Sequence, residues 1–232
     1  MNYLVASPGR CGSFFTTAYI MQYKNIMTIT NDYYTETITE TSNLSSDQKE
    51  EISNDEYVVL HIHNVYLIDS FKENRQTVLI RRNPVEIALS HLIARKTNVF
   101  HFGDIESQNV MNLNKYIRLY KDVKFQLKPD EFIDELFKTI NWYIFTEKLL
   151  DQSIVINYKE AIDIDALNKR LNLESHPRPH DFMLPVAQPF DKWDRIEDAN
   201  FFRRIGSEIF NYYQFKFPHI FPEEDFIIDS QA

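Results

Sequence analysis

The stretch Tyr3-Leu-Val-Ala-Ser-Pro-Gly-Arg-Cys-Gly-Ser-Phe-Phe-Thr-Thr-Ala-Tyr19 joins an apolar run to a helical pattern through a short turn. The run Asn2–Ala6 predicts a buried strand, and the run Ser13–Tyr23 predicts a helix. The turn holds two of the four glycines in the chain, Gly9 and Gly12, and one cation, Arg10. Open α/β sheets bind anions where a strand ends and a helix begins, so this order of elements predicts an anion site at the turn.

A second stretch also joins an apolar run to a helical pattern, here through two arginines and Asn-Pro: Thr77-Val-Leu-Ile-Arg-Arg-Asn-Pro-Val-Glu-Ile-Ala-Leu-Ser90. Asn83-Pro84 predicts a helix start, because asparagine suits the cap and proline the first helical position. Ser90 follows Arg82 by eight residues, which is about two helical turns. We therefore expect the Arg82 guanidinium and the Ser90 hydroxyl to hold one phosphate between them. The alternatives are that Ser90 is a small packing residue and that Arg10 is an exposed arginine at an ordinary corner.

Strand and helix patterns alternate along the chain, which predicts an α/β fold with a central, mostly parallel sheet flanked by helices. The further strand patterns are Tyr57–His63, Thr77–Arg81 and Ser153–Tyr158. The further helical patterns are Pro84–Lys96, Asp130–Leu150, Asp163–Leu171 and Asp198–Tyr213. Three aromatic residues lie within the longest of these helices, and we assign them to the core: Trp142, Tyr143 and Phe145.

Four segments lack a clear period. Residues Asp32–Asp55 are polar and acidic and predict a mobile connection, with a short helix at Ser46–Ile52. Residues His101–Leu127 are irregular and aromatic, a composition that suits a segment folding over a ligand. Prolines mark Glu174–Pro189 as a long loop, and Pro218–Ala232 is interpreted as a C-terminal tail. The whole chain, 1–232, is predicted to be a single domain.

Composition narrows the class of protein. A chain of 232 residues that is 44% hydrophobic is long enough to bury one core. The net charge of −9 argues against a nucleic-acid binder, which would show a basic face. One cysteine excludes an internal disulfide framework and a cysteine-built zinc site. The sequence has no apolar run of about 20 residues and begins directly with a strand pattern, so we expect no membrane span and a cytoplasmic location.

The first turn differs from a nucleoside triphosphate loop. That loop needs Gly-x-x-x-x-Gly-Lys-Ser/Thr, whose lysine reaches the terminal phosphates. Here Pro8-Gly-Arg-Cys-Gly-Ser13 is shorter, and its cation precedes the last glycine. We expect the Gly12 and Ser13 N–H groups to cradle a phosphate with Arg10 beside them. A nucleotide or small-molecule kinase with a divergent loop stays an alternative.

Together the two stretches resemble the cofactor-binding signatures of sulfotransferases that use 3′-phosphoadenosine 5′-phosphosulfate (PAPS). Arg10, Gly12 and Ser13 match the first signature, which binds the 5′-phosphosulfate. Arg82, Asn83, Pro84 and Ser90 match the second, which binds the 3′-phosphate. The resemblance implies a P-loop-like three-layer fold and sulfuryl transfer from PAPS to a hydroxyl or amine of a small-molecule or carbohydrate acceptor. The product nucleotide is adenosine 3′,5′-bisphosphate (PAP), and no metal is required.

The same resemblance suggests two adenine contacts. Phe15 falls where many members have an adenine-stacking tryptophan, and Tyr158 resembles a tyrosine that follows a later strand and lies near the adenine. The chain departs from the family at Phe14, which replaces a second hydroxyl of the first loop. It also lacks the Arg-Lys-Gly loop that cytosolic members have near the C-terminus. Four arginines are candidates to replace that loop: Arg178, Arg195, Arg203 and Arg204.

The catalytic base is expected at the end of the second strand pattern. His61 and His63 are two residues apart, so they lie on one face of a strand, and a histidine suits proton transfer near neutrality. The resemblance implies that His63 is the base and that His61 stands in place of a lysine. The alternatives are a carboxylate base (Glu36 or Glu40), purely structural histidines, or a metal site completed by His91 or Asp69. A further alternative is a protein that binds the cofactor but does not catalyse transfer. The replacement of a loop hydroxyl by Phe14 is compatible with this alternative.

Overall fold

The structure is a computed structural model and describes residues 2–23, 59–102, 110–173 and 191–226. These residues fall into two compact units. The first unit comprises 1–82 and 142–185, and the second comprises 83–141 and 186–232. The predicted α/β class is confirmed, while the prediction of a single domain stays a prediction.

The first unit contains a four-stranded sheet in which every strand is parallel to its neighbours. The strands are β1 (Asn2–Ala6), β2 (Val59–Ile62), β3 (Arg75–Arg81) and β6 (Ser153–Asn157), in the order β2-β1-β3-β6. Apolar side chains bury β1 and β2 almost completely, as parallel strands covered on both faces require. The chain leaves β1 toward β2 and leaves β3 toward β6, so the connections diverge between β1 and β3. Open α/β sheets bind ligands at such a switch point.

Within the described residues of the first unit, four helices flank this sheet: α1 (Ser13–Tyr23), α2 (Val65–Phe71), α6 (Tyr158–Ala161) and α7 (Ile164–Leu171). Helix α1 packs against β1 and β2, and α7 packs against β6. Side-chain caps fix where three of the helices begin, because Asn64, Asn157 and Asp163 each accept a backbone N–H of the following turn. A 3-10 helix at Glu147–Gln152 precedes β6.

The second unit contains α3 (Pro84–Thr97), α4 (Leu113–Tyr120), most of α5 (Pro129–Phe145) and α8 (Ala199–Lys216). It also has the short parallel strands β4 (His101–Phe102) and β5 (Val110–Met111), and 3-10 helices at Trp193–Arg195 and Glu223–Asp225. The last residues of α5, Trp142–Phe145, belong to the first unit.

Glycine at position 206 lets α8 lie close to α3 and α5. A Cβ atom there would be 2.8 Å from Val85 Cγ1 and 3.1 Å from a ring carbon of Phe132. The C-terminal segment completes this core, since Ile220, Phe221 and Phe226 are buried. The predicted tail Pro218–Ala232 thus contributes core residues as far as Phe226, and 227–232 lie outside the described residues.

Several predicted elements differ from the observed ones. Residues His101–Leu127 are not wholly irregular, because they contain α4. The helix predicted to end at Leu150 ends at Phe145, and a 3-10 helix follows. The short α2 was not predicted, since seven residues give too few turns for a helical period. Residues Asp32–Asp55, with the predicted helix Ser46–Ile52, and Glu174–Pro189 lie outside the described residues.

In the part of the chain that the structure describes, no helix combines the length and the apolar character that a membrane crossing requires.

Candidate functional site

The turn between β1 and α1 has a left-handed backbone at three positions. The φ angles are 88° at Gly9, 54° at Arg10 and 77° at Gly12. Gly12 is also closely packed, because a Cβ atom there would lie 2.8 Å from Ile162 Cγ2. Both observations explain why the sequence has glycine at this position, and the resulting turn presents Arg10 half-buried at the start of α1.

Internal hydrogen bonds hold the turn in this shape. The Gly9 N–H donates to Ser7 Oγ at 3.2 Å, and the Cys11 thiol donates to the Gly9 carbonyl at 3.0 Å. Thr16 fixes the turn to α6, since its hydroxyl donates to the Ala161 carbonyl at 2.9 Å. The anion-binding loop predicted from Gly9, Arg10 and Gly12 is therefore an ordered corner of the first unit.

Arg82 follows β3 and lies across the switch point from the turn. It is buried, with 4% exposure. Its Nη1 donates to the Arg10 carbonyl at 2.5 Å, and its guanidinium carbon is 3.9 Å from the centroid of the Tyr158 ring. The structure thus brings together three predicted site residues, Arg10, Arg82 and Tyr158. Tyr158 is the first residue of α6 and not the end of β6.

The backbone of Arg82 is held by Tyr143 of α5. The Arg82 N–H donates to Tyr143 Oη at 3.0 Å, and the same hydroxyl donates to the Arg82 carbonyl at 3.2 Å. Burial, with the nearby Cys11 thiol, raises the pKa of Tyr143 well above its usual range. The phenol therefore stays neutral and keeps its donor role across the accessible pH range.

His61 and Ser13 are in direct contact. His61 Nε2 lies 2.8 Å from Ser13 Oγ, and both residues are buried. The contact joins the end of β2 to the first residue of α1. The predicted lysine substitute is thus beside the turn.

His63 is half-buried at the end of β2, and its surroundings fix its tautomer. Its Nδ1 lies 2.8 Å from the Ser7 carbonyl oxygen. A carbonyl oxygen only accepts, so Nδ1 carries the hydrogen of the neutral ring and Nε2 keeps its lone pair. The Trp142 indole N–H donates to the His63 carbonyl at 2.6 Å and holds the backbone. The role of His63 as the catalytic base stays a prediction.

A metal site at the two histidines has no support in the described ranges. No three His, Cys, Asp or Glu side chains there form a group that could hold a metal ion. The His61 and His63 rings meet edge to face at 4.3 Å. His91 belongs to the second unit, where its Nδ1 is 2.8 Å from Glu135 Oε1. The side chain of Asp69 lies outside the described residues.

The adjacent rings of Phe14 and Phe15 have opposite environments. Phe15 is 5% exposed and stacks on Tyr19 with ring centroids 6.3 Å apart, whereas Phe14 is 47% exposed. The contact of Phe15 with adenine stays a prediction, and the exposed ring next to Ser13 is that of Phe14.

Other candidates lie in the second unit. Ser90 is buried in α3, and its pairing with Arg82 stays a prediction of the sequence pattern. Arg195 is buried and donates to Tyr116 Oη at 2.5 Å, while Arg203 Nη2 lies 3.8 Å from Asp191. Arg204 is exposed on α8. Arg178, Glu36 and Glu40 are outside the described residues.

Three residues of the site were not predicted as such: Ser7, Trp142 and Tyr143. The sequence also assigned Phe145 to the core, and that prediction was wrong, since Phe145 is 54% exposed. The same assignment of Trp142 and Tyr143 is confirmed, because both are buried. Their polar atoms nevertheless hold the backbones of His63 and Arg82. The available signal was chemical, because a buried indole or phenol needs a hydrogen-bond partner.

Comparison of the chain with protein-family models, curated proteins and solved structures finds no match. The candidate site is therefore defined by this chain's own residues at the carboxyl edge of its sheet.

Proposed function

We propose that the protein transfers a sulfuryl group from PAPS to an acceptor hydroxyl or amine, on a P-loop-like three-layer fold. The observation that carries this proposal is the position of Arg82. Its guanidinium lies at the switch point of a parallel sheet, bonded to the carbonyl of Arg10 and stacked on Tyr158. Arginine binds phosphate with a planar fork of donors, and an aromatic ring beside it suits a nucleotide base.

The turn fits the 5′ end of such a ligand. Helix α1 begins at Ser13, and N–H groups at a helix start favour negative charge. Gly12 allows the left-handed backbone, with φ 77°, that leads into the helix start, and Arg10 adds a full positive charge. Arg10, Gly12 and Ser13 would hold the 5′-phosphosulfate.

Arg82 would hold the 3′-phosphate, with Tyr158 beside the nucleoside. The family pattern adds Ser90 to this phosphate and Phe15 to the adenine, and both assignments rest on the sequence. Two cations that follow adjacent strands, β1 and β3, suit a ligand with two separated anionic groups.

In this kind of transfer the protein forms no covalent bond to the transferred group. Positioning of the reactants and stabilisation of charge contribute most of the rate acceleration. PAPS supplies the activated sulfuryl group. His63 Nε2 accepts the proton of the acceptor, because Nδ1 is occupied by the Ser7 carbonyl. Arg10 compensates the charge on the departing 5′-phosphate oxygen.

The first test compares two calorimetric titrations of the protein, one with PAP and one with ATP and Mg²⁺. We expect PAP to bind the unmodified protein and Arg82→Lys to weaken binding by about 10- to 100-fold, because a bidentate charge-assisted contact is lost. Arg118→Lys, a change at an exposed arginine of α4, should leave the affinity unchanged.

His63→Asn separates binding from chemistry in the same protein. The asparagine amide can still donate to the Ser7 carbonyl, but no ring nitrogen remains to accept a proton. PAP affinity should be retained while single-turnover sulfuryl transfer is lost. Preference for ATP with Mg²⁺ over PAP would contradict the proposal and favour a kinase. PAP binding without transfer to any acceptor would favour a non-catalytic binding protein.

A further inference from the structure

One segment of the second unit has a charge opposite to that of the chain as a whole. Residues 113–128 contain five Lys or Arg and one Asp, a net charge of +4, whereas the whole chain has a net charge of −9. The segment comprises α4 and the residues that lead to α5. Its cations recur every three or four residues: Lys115, Arg118, Lys121, Lys124 and Lys128. A local concentration of positive charge on an acidic chain indicates a surface for a negatively charged partner.

The inner side of this segment is fixed to the second unit by a buried arginine. The Arg195 guanidinium carbon lies near three ring centroids of the segment, 5.2 Å from Tyr116, 5.8 Å from Tyr120 and 4.8 Å from Phe125. The backbone is joined as well, since the Phe125 N–H donates to the Arg195 carbonyl at 2.7 Å and the Glu197 N–H donates to the Phe125 carbonyl at 3.0 Å. The aromatic rings therefore hold α4 in place, and the outer side of the segment is an ordered surface.

The outer side presents cations and aliphatic side chains together. Leu119 is 48% exposed and Val123 is 37% exposed. The contact of Lys121 Nζ with Asp122, at 3.9 Å between two exposed side chains, is screened by water, so the surface keeps its positive charge. Five exposed residues there are basic or aliphatic, and we call them the basic surface: Arg118, Leu119, Lys121, Val123 and Lys124.

This combination of side chains specifies the partner. A nucleic acid or another soluble polyanion would pair with the cations but would leave Leu119 and Val123 in water. A nucleic-acid surface would also present rings on which bases stack, and the rings of Tyr116 and Tyr120 instead lie around Arg195. An anionic lipid bilayer satisfies both kinds of side chain, because its headgroups attract Lys and Arg while its acyl boundary accepts aliphatic groups.

We propose that the basic surface binds the face of an anionic phospholipid bilayer. Its cations contact the headgroups, and Leu119 and Val123 enter the boundary with the acyl chains. Every residue of the basic surface belongs to the second unit, and this membrane binding is independent of sulfuryl transfer.

Sedimentation of the full chain with lipid vesicles measures the binding. One set of vesicles contains phosphatidylcholine mixed with phosphatidylserine, and the other contains phosphatidylcholine alone. The double variant Arg118→Gln with Lys121→Gln should bind the mixed vesicles about 10- to 30-fold more weakly, because two cations near the headgroups are lost. The control Lys169→Gln with Arg204→Gln removes two exposed cations of α7 and α8 and should bind like the unmodified protein.

A charge-conserving variant separates charge from folding at the same positions. Arg118→Lys with Lys121→Arg should retain binding to the mixed vesicles, and added sodium chloride should weaken binding of the unmodified protein. Equal binding to the two sets of vesicles, or an equal loss in the α7 and α8 control, would overturn the proposal.

The aliphatic part of the basic surface is tested at Leu119. Leu119→Ser should weaken binding to the mixed vesicles about fivefold, whereas Phe215→Ser, at a ring of α8 that is 88% exposed, should not. Leu119→Trp adds an optical readout, since its emission should move to shorter wavelength with the mixed vesicles and not with phosphatidylcholine alone. The two tryptophans of the chain, Trp142 and Trp193, are buried, and the unmodified protein gives their background.

Poly-L-glutamate distinguishes a lipid surface from an acidic macromolecule, because it carries negative charge without acyl chains. We expect it to bind more weakly than the mixed vesicles and to be unaffected by Leu119→Ser. Tighter binding to poly-L-glutamate, or vesicle binding that Leu119→Ser leaves unchanged, would contradict a membrane and assign the basic surface to an acidic macromolecule. PAP affinity should be the same in all of these variants, so this proposal and the proposed function fail independently.

Discussion

At the scale of single residues, the site depends on side chains that hold backbone atoms in place. Tyr143 satisfies both the N–H and the carbonyl of Arg82, while Ser7 and Trp142 fix the ring and backbone of His63. Such contacts matter because a buried polar group left without a partner costs more free energy than a made hydrogen bond contributes. The residues that bind and react are thus oriented by neighbours that do neither.

Removing one hydroxyl tests this dependence. Tyr143→Phe leaves the ring in place but takes away the partner of the Arg82 backbone. The free energy of unfolding should fall by about 1–3 kcal/mol, and PAP binding should weaken because the Arg82 guanidinium loses its position. Tyr212→Phe makes the same change at an exposed tyrosine and should alter neither quantity in denaturant titrations. Equal effects at both positions would contradict the role assigned to Tyr143.

At the scale of elements, α3 and α5 are joined inside the second unit by one buried carboxylate. Glu135 of α5 contacts His91 Nδ1 at 2.8 Å and Arg95 Nη2 at 2.7 Å, both on α3. Burial of Glu135 works to raise its pKa. The hydrogen bond and charge of His91, together with Arg95, outweigh burial and hold the pKa below the ordinary 4.5. The contacts of the Glu135 carboxylate with His91 and Arg95 therefore stabilise the pairing of these helices.

The lowered pKa gives a pH-dependent prediction. Because the unfolded carboxyl takes up a proton more readily than the folded one, the Glu135 contribution is complete above pH 4.5 and is lost as pH falls through the lower folded pKa. Glu135→Gln should reduce the free energy of unfolding at neutral pH by about 1.5–3 kcal/mol. The difference in the free energy of unfolding between the unmodified protein and Glu135→Gln should become smaller as the pH falls below 4.5.

A control for this prediction lies on the same helix. Glu131 forms a solvent-exposed pair with Lys128 at 3.2 Å, so Glu131→Gln should cost only about 0–1 kcal/mol. Urea titrations of both variants across pH give the comparison. A Glu135→Gln deficit that stays constant from neutral pH into acid would show that packing, and not charge, links the helices.

At the scale of the whole molecule, residues distant in sequence complete each unit. Strand β6 joins the sheet of the first unit beside β3, more than seventy residues away in the chain. In the second unit the C-terminal segment adds Phe221 and Phe226 to the core, against Phe210 of α8. Such long-range contacts leave no local pattern in the sequence, so Pro218–Ala232 was interpreted as a tail.

Phe221 provides the test at this scale. It is fully buried, with its ring centroid 5.5 Å from that of Phe210 and 5.4 Å from that of Phe226. Phe221→Ala should lower the free energy of unfolding by about 3–5 kcal/mol, because it leaves a cavity. Phe215→Ala, at a ring that is 88% exposed, should be nearly neutral in thermal unfolding. Similar melting temperatures for the two variants would show that the C-terminal segment is not part of the core.

The sequence by itself determined the α/β class, the start of α1 at Ser13, and the placement of Arg10, Arg82 and His63 at strand ends. These features follow from apolar periodicity, from Asn-Pro and glycine chemistry, and from cap residues, all of which act within a few positions of the chain. The sequence did not predict α2 or α4, because both helices are short, and it did not predict where α5 ends.

Only the tertiary structure decided the strand order, the contact of Arg82 with Arg10 and Tyr158, the burial of Phe15 with exposure of Phe14, and the tautomer of His63. Each of these depends on which distant groups meet. The partner of Nδ1 is a carbonyl 56 positions away, and a hydrogen bond across that separation is set by packing of the folded chain and not by local preference.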